Sequence, residues 1–270
     1  MLNFLFWNVN KRPLAKMIIN LVHESEVDII ILAESEINDA ELLAKMNVKQ
    51  KRPYHVTPGI SLRLRMYSRY VKEFIRPIRD SGSISIREFA LPLRKEVLLV
   101  AVHLRSKLHA DPDDQFSECI GIAREIEKAE ESVGHSRTIV VGDFNMNPFE
   151  SGLIGTRGFH AVLDKRIAER KSRIVQGERF KFFYNPMWNL FGKESPGPIG
   201  TYYYDDASHT NRYWNMFDQV LVRPSLMDSF WSEELKVLTD VGKISLMTGL
   251  GRPNRKVGSD HFPILFKVDI

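Results

Sequence analysis

Apolar residues in this chain gather in short, dense runs, and each run ends on or contains a polar group able to bind a metal, a phosphate or a proton. FLFWNVN (4–10) closes on Asn8 and Asn10, and DIIILAE (28–34) closes on Glu34. EVLLVAVHL (96–104) delivers His103, Thr138 to Val141 lead through Gly142 to Asp143, and FDQV (217–220) holds Asp218 inside a run continuing to Val222. Such runs, without polar alternation, are the pattern of strands buried on both faces, and none is long enough to span a membrane. Packed side by side, these strands would gather Asn8, Glu34, His103, Asp143, Asn145, Asp218, Asp260 and His261 at one rim of a sheet.

The segments between them read as helices and half-buried strands. Leu14, Met17, Ile18, Leu21 and Val22 follow the helical i, i+3, i+4, i+7, i+8 spacing. Phe116, Cys119, Ile120, Ala123 and Ile126 do the same behind Asp111-Pro112, a plausible helix start. Leu62, Leu64 and Met66 alternate with Arg63 and Arg65, as in a strand with one buried face. Helices between strands suit two packed sheets flanked by helices, an α/β class.

Two motifs carry the chemistry. In VVGDFNMNP (140–148), Gly142 lets the backbone turn after the strand, and Asp143 and Asn145 share one face if the backbone stays extended. A carboxylate beside a neutral amide can take a proton from water and hold an oxyanion; alone, the pair fits a strand-ending Asx turn better. In GSDHFP (258–263), adjacent Asp260 and His261 offer a metal-seeking carboxylate and an imidazole chargeable near neutral pH. Asp218 needs a partner, because an unpaired buried charge is costly.

The blocks WNVN (7–10), DIIILAE, VAVHLRSK (100–107), VVGDFN (140–145), FDQVLV (217–222) and GSDHFP stand in an order that resembles the endonuclease/exonuclease/phosphatase superfamily, from the first strand to the last. The resemblance implies a four-layer α/β/β/α sandwich of two mixed β-sheets, spanning residues 1–270 as one catalytic domain. It implies a metal-dependent phosphodiester hydrolase. Glu34 would be the principal magnesium ligand (manganese a possible substitute), with Asn8 and Asp260 beside it. Asp143 would activate the attacking water and Asn145 steady it. His261, oriented by Asp218, would contact the scissile phosphate, and His103 would act as a second histidine. Lys107 closes the HLRSK block as a substrate contact. The chain departs from many relatives at Ala33, where a glutamine is common, at Glu36, and at Gln219, where an aromatic or histidine is frequent. The amide-rich loop of abasic-site enzymes is missing.

Charge bears on the substrate. The net charge is only +4, but residues 51–79 hold eight Lys/Arg against Glu73 alone, and residues 157–181 hold eight against three acids. The second cluster, with Arg170, Lys171 and Arg173, leads into Phe180, Phe182, Phe183, Tyr184 and Trp188. Basic residues interleaved with aromatics suit a phosphate backbone and stacked bases, so a nucleic-acid substrate is expected. The competing reading is a phosphatase or phosphodiesterase acting on a lipid head group or small phosphate ester. Cys119 is the only cysteine, which excludes an intrachain disulfide. With no secretory layout at Leu2–Val9 and no membrane-length run, a cytoplasmic, reducing location is expected.

Overall fold

A computed structural model describes residues 1–57, 63–193, 197–207 and 209–270. Two large mixed sheets dominate it. The first has six strands, in the order Lys236–Val237, Ile264–Val268, Leu2–Asn8, Ile29–Ala33, Leu64–Ser68, His55–Val56. The second has seven, in the order Ile75–Asp80, Ile84–Phe89, Val97–His103, Thr138–Asp143, Asp218–Val222, Phe183–Tyr184, Ala161–Val162. Each sheet has a central parallel pair: Leu2–Asn8 with Ile29–Ala33, and Val97–His103 with Thr138–Asp143. Antiparallel strands flank both pairs.

The dense runs are dense because both faces are covered. Phe4, Phe6, Ile29, Ile31, Leu99, Ala101, Ile139, Val141, Val220 and Phe266 fill the space between the sheets. Phe4 stacks on Phe266 with centroids 4.8 Å apart. The alternate residues Leu5, Trp7, Ile30 and Leu32 face outward, against Ile18, Leu21 and Val22 of helix Ala15–Glu24 and Leu42 and Met46 of helix Asp39–Met46. On the other side Leu98, Val100, Val102 and Val140 meet Cys119, Ile122 and Ile126 of helix Pro112–Val133. These are the four layers of an α/β/β/α sandwich. Burying each large apolar side chain contributes roughly 1.5–3 kcal/mol, so the doubly buried strands are the most strongly held part of the chain.

Helix Pro112–Val133 starts where its sequence signals. Asp111 accepts a hydrogen bond from the Asp114 backbone at 2.8 Å, Pro112 occupies the first turn, and Gly134 ends the helix at φ 72°. Its buried stripe is rotated from the expected one: Ile122 is buried, whereas Ile120 and Ala123 are only half-buried. The expected alternation from Leu62 begins outside the described residues; Leu64 and Met66 are buried and Arg65 is half-buried, as that pattern requires. Gly142 has a different function from the turn inferred above. It lies within strand Thr138–Asp143, and a Cβ there would fall 1.9 Å from the Val102 carbonyl oxygen. The glycine therefore permits close approach of the parallel neighbour, and the chain turns later, at Asn145 (φ 50°).

Candidate active site

Topology gathers the polar ends. The parallel strands finish at one edge, delivering Asn8, His103 and Asp143 as last residues and Glu34 immediately after Ala33. Antiparallel strands begin at that edge, so Asp218 opens its strand and Asp260 and His261 precede Ile264–Val268. Register completes the alignment: Asn8 lies opposite Ala33, and Asp143 lies opposite both His103 and Asp218.

His261 is the centre of a buried charge chain. Its Nδ1 meets Asp218 Oδ2 at 2.8 Å, and its Nε2 lies 3.9 Å from Asp143 Oδ2. Burial pulls the imidazole toward its neutral form, but Asp218, Asp143 and Asp260 outweigh that and carry its pKa up to about 10. Burial holds the Asp218 pKa above its ordinary value, against the pull of the adjacent imidazolium. The three carboxylates around the imidazole favour the proton on His261. Thr201 Oγ1 accepts from the Phe217 and Asp218 backbone N–H groups, at 3.2 and 3.1 Å, and fixes the start of that strand. Tyr202 covers the imidazole with ring centroids 4.7 Å apart.

The other half of the rim is more open. Glu34 sits at φ 51°, an uncommon backbone for a non-glycine residue, held by Glu34 N–H to Arg63 C=O (3.0 Å) and Lys11 N–H to Glu34 C=O (2.9 Å). Its Oε1 lies 3.3 Å from both His103 Nε2 and Asn8 Nδ2. The bond to His103, opposed only in part by burial, holds the Glu34 pKa down at about 2. Asn8 Nδ2 also donates to Asp143 Oδ2 at 2.9 Å, while Asn8 Oδ1 accepts from the Asn10 backbone at 3.0 Å. Asn8 thus bridges two carboxylates through its nitrogen. Asp143 Oδ1 accepts from the Asn145 backbone at 2.9 Å, so the Asx turn and the site coexist in one motif. Asn145 Nδ2 donates to the Leu104 carbonyl at 3.0 Å. Asp260 accepts from Ser259 Oγ at 3.2 Å and faces Arg255 at 3.7 Å.

Glu34, Asp260 and Asn8 offer oxygen donors, the chemistry a hard divalent cation such as magnesium takes. Asp143, Asp218 and His261 also form a metal-like cluster, their ligand atoms within 4.8 Å of one another. With His261 Nδ1 bonded to Asp218 and the imidazole cationic, that cluster is better suited to hold a proton. The expected rim residues Asn8, Glu34, His103, Asp143, Asn145, Asp260 and His261 line one cleft of about 650 Å³. Asp218 stands behind His261.

The cleft also contains residues the motifs did not flag: Lys11, Arg63, Arg105, His109 and Tyr202, with the exposed Glu36 at its edge. Arg63 lies in the first basic region, but charge density did not single it out, because most neighbours there are neutralised by distant acids. Arg52 pairs with Asp28, Arg65 with Asp39, Arg76 with Glu88 and Arg79 with Glu125. Lys107 pairs with Glu150. Arg170 and Lys171 just before the hairpin Ser172–Val175/Glu178–Lys181, and Arg173 within it, are exposed and do not line the cleft. Lys171 C=O accepts from Phe182 N–H, whose own carbonyl accepts from Arg223 just beyond Val222, so the hairpin joins the end of the strand opposite Asp218. Gln219 is fully buried, donating to the Met146 carbonyl at 2.7 Å and accepting from Asn185 at 2.7 Å. It braces the loop behind Asp143.

The chain matches the model of the endonuclease/exonuclease/phosphatase family over residues 5–261 and belongs to that family. A 3'-5' exonuclease from Neisseria meningitidis is similar in structure, with TM-score 0.60 at 15% identity and all of both chains covered. D. rerio TDP2 complexed with a single-strand DNA product gives TM-score 0.58 at 14% identity, over 100% of this chain and 99% of the other. The endonuclease domain of TRAS1, a telomere-specific non-LTR retrotransposon, gives 0.55 at 14% over the same shares. At these identities the likeness concerns the fold. No curated protein sequence is significantly similar. Among the described residues, no helix is long and apolar enough to cross a membrane.

Proposed function

We propose that this chain hydrolyses phosphodiester bonds with a divalent metal, magnesium by choice, and that its substrate is nucleic acid. The observation carrying the proposal is the buried Asp218–His261–Asp143 chain opening onto the same cleft as the charged Glu34. A phosphodiester is an anion, so an attacking hydroxide is repelled until charge is neutralised. Glu34 and Asp260 would hold the cation, with Asn8 orienting Glu34; the cation would neutralise charge on a phosphoryl or leaving oxygen. Asp143 takes the proton of the attacking water, its two oxygens fixed by Asn8 and the Asn145 backbone. His261, kept cationic by Asp218, faces the charge that grows on the phosphoryl group. His103 stands between Glu34 and Asp143, where it can donate to a phosphate oxygen. Lys11, Arg63 and Arg105 draw the polyanion into the cleft.

The test is a substrate panel of single- and double-stranded DNA and RNA, with bis(p-nitrophenyl) phosphate, p-nitrophenyl phosphate and phospholipid head groups. The proposal expects magnesium-dependent cleavage of polynucleotides and of the diester. Turnover confined to head groups or monoesters would overturn it in favour of the small-ester reading.

A further inference from the structure

The hairpin Tyr202–Tyr203/Trp214–Asn215 borders the cleft, because Tyr202 lines it and bridges to His261. Tyr202 is fixed between the His261 ring and Phe217, the latter at 5.2 Å between centroids. Tyr204, two residues on and therefore on the same face, is 41% exposed, its ring at 14° to that of Tyr202 and 6.5 Å away. Tyr202 is thereby covered, and the exposed Tyr204 ring is the flat apolar platform that continues from it toward solvent. Arginines line its edge. Arg255 lies between Asp260 and a second recess that it shares with Arg252, Tyr203 and Tyr204. Arg252 stacks over the Tyr203 ring at 4.1 Å, an arrangement that leaves its N–H edge available to an anion. Asp205, held by Tyr203 Oη and Asn211, and Asp206 end the strip at the hairpin tip, where their charge would repel a polyanion.

We propose that this strip seats an unpaired nucleic-acid segment beside the scissile phosphate, with a base on Tyr204 and phosphates at Arg252 and Arg255. The inference rests on the phosphodiesterase reading and gives it a substrate class, single-stranded nucleic acid. Adjacency to the catalytic cleft through Tyr202, the exposed Tyr204 ring and the two arginines beside it support it. Stacking platforms take bases whose faces are free, which a paired duplex does not offer, and they are tolerant of base identity.

Binding is measured on the full chain by fluorescence anisotropy in chelator, using labelled oligothymidylate, oligouridylate and a duplex, beside metal-supported turnover of bis(p-nitrophenyl) phosphate. Tyr204→Ala should raise Kd for the single strands at least about fivefold, given what one base–aromatic stack contributes. Tyr204→Trp should restore binding, and Arg252→Gln should lower the slope of log K against log salt by about 0.7. None of the three should change turnover of the small diester. The strip is overturned if Tyr204→Ala and Arg252→Gln bind like the parent, if the parent binds duplex as tightly as single strands, or if both variants lose diester turnover in proportion. Failure of the catalytic reading would register separately, as a parent that binds single strands but cleaves no phosphodiester with metal.

Discussion

Strands Thr138–Asp143 and Asp218–Val222 lie side by side and carry a buried ionic network at each end, but the two networks differ in balance. At the far end Glu130 is buried and surrounded by donors: Arg223 Nε at 2.7 Å, Lys181 Nζ at 3.0 Å and Thr138 Oγ1 at 2.9 Å. Arg223 also lies over the Phe183 ring at 3.8 Å. One carboxylate faces two cations, Arg223 buried beside it and Lys181 reaching in from the surface. At the rim Glu34, Asp143, Asp218 and Asp260 share two histidines and the loosely placed Arg255, and the group opens to a cleft. A closed, cation-rich network staples elements together. An open one with surplus carboxylates is suited to a cation, a proton and a substrate.

If that contrast is right, substitutions at the two ends fail differently. Asp143→Asn should cost two to four orders of magnitude or more in kcat while Tm stays near the parent value, because it removes the base and preserves shape. An activity loss matched by a comparable fall in Tm would erase the distinction. Glu130→Ala should do the reverse. Removing one partner of a buried ion pair strands the others and costs about 3–5 kcal/mol, so urea unfolding should shift strongly while specific activity of the folded fraction persists. Unchanged stability would show that the far network is ornamental.

The pH profile sharpens the comparison further. His261 has its pKa raised above the ordinary value of 6.5, so its charged form contributes stability that is fully present below pH 6.5 and lost as pH rises through about 10. Activity should fall on the same alkaline limb. Asp218→Asn removes the nearest negative charge and should move that limb to lower pH; an unmoved limb would break the Asp218–His261 pairing. The smallest effect is expected at Arg170, Lys171 and Arg173. Neutralising all three should change polynucleotide KM and its salt dependence less than neutralising Arg63 and Arg105. A larger effect would move the substrate path onto the hairpin.

The strands, the rim and the family were legible because each depends on local order: a doubly buried strand must be apolar throughout, and a polar residue at its end stands out. Asp143, His261 and Glu34 were visible for that reason. What escaped depends on residues brought together from far apart. Arg76 and Arg79 looked free until Glu88 and Glu125 closed on them. Gly142 resembled a turn residue because the Val102 carbonyl that excludes any side chain there lies 40 positions earlier in sequence. Tyr202 joined the site only because its strand bridges to His261. The Glu130 staple likewise draws on Thr138, Lys181 and Arg223, three segments with no common motif.

The surplus carboxylates of the rim are proposed to serve metal-dependent phosphodiester hydrolysis through Glu34. That role is tested most directly by titrating magnesium against turnover of bis(p-nitrophenyl) phosphate for the parent and for Glu34→Gln, with the fold of each checked by circular dichroism. The parent should show saturable activation, abolished by chelator, and the variant should stay folded with no activity that magnesium restores. Near-parent turnover by Glu34→Gln in excess chelator would contradict that role.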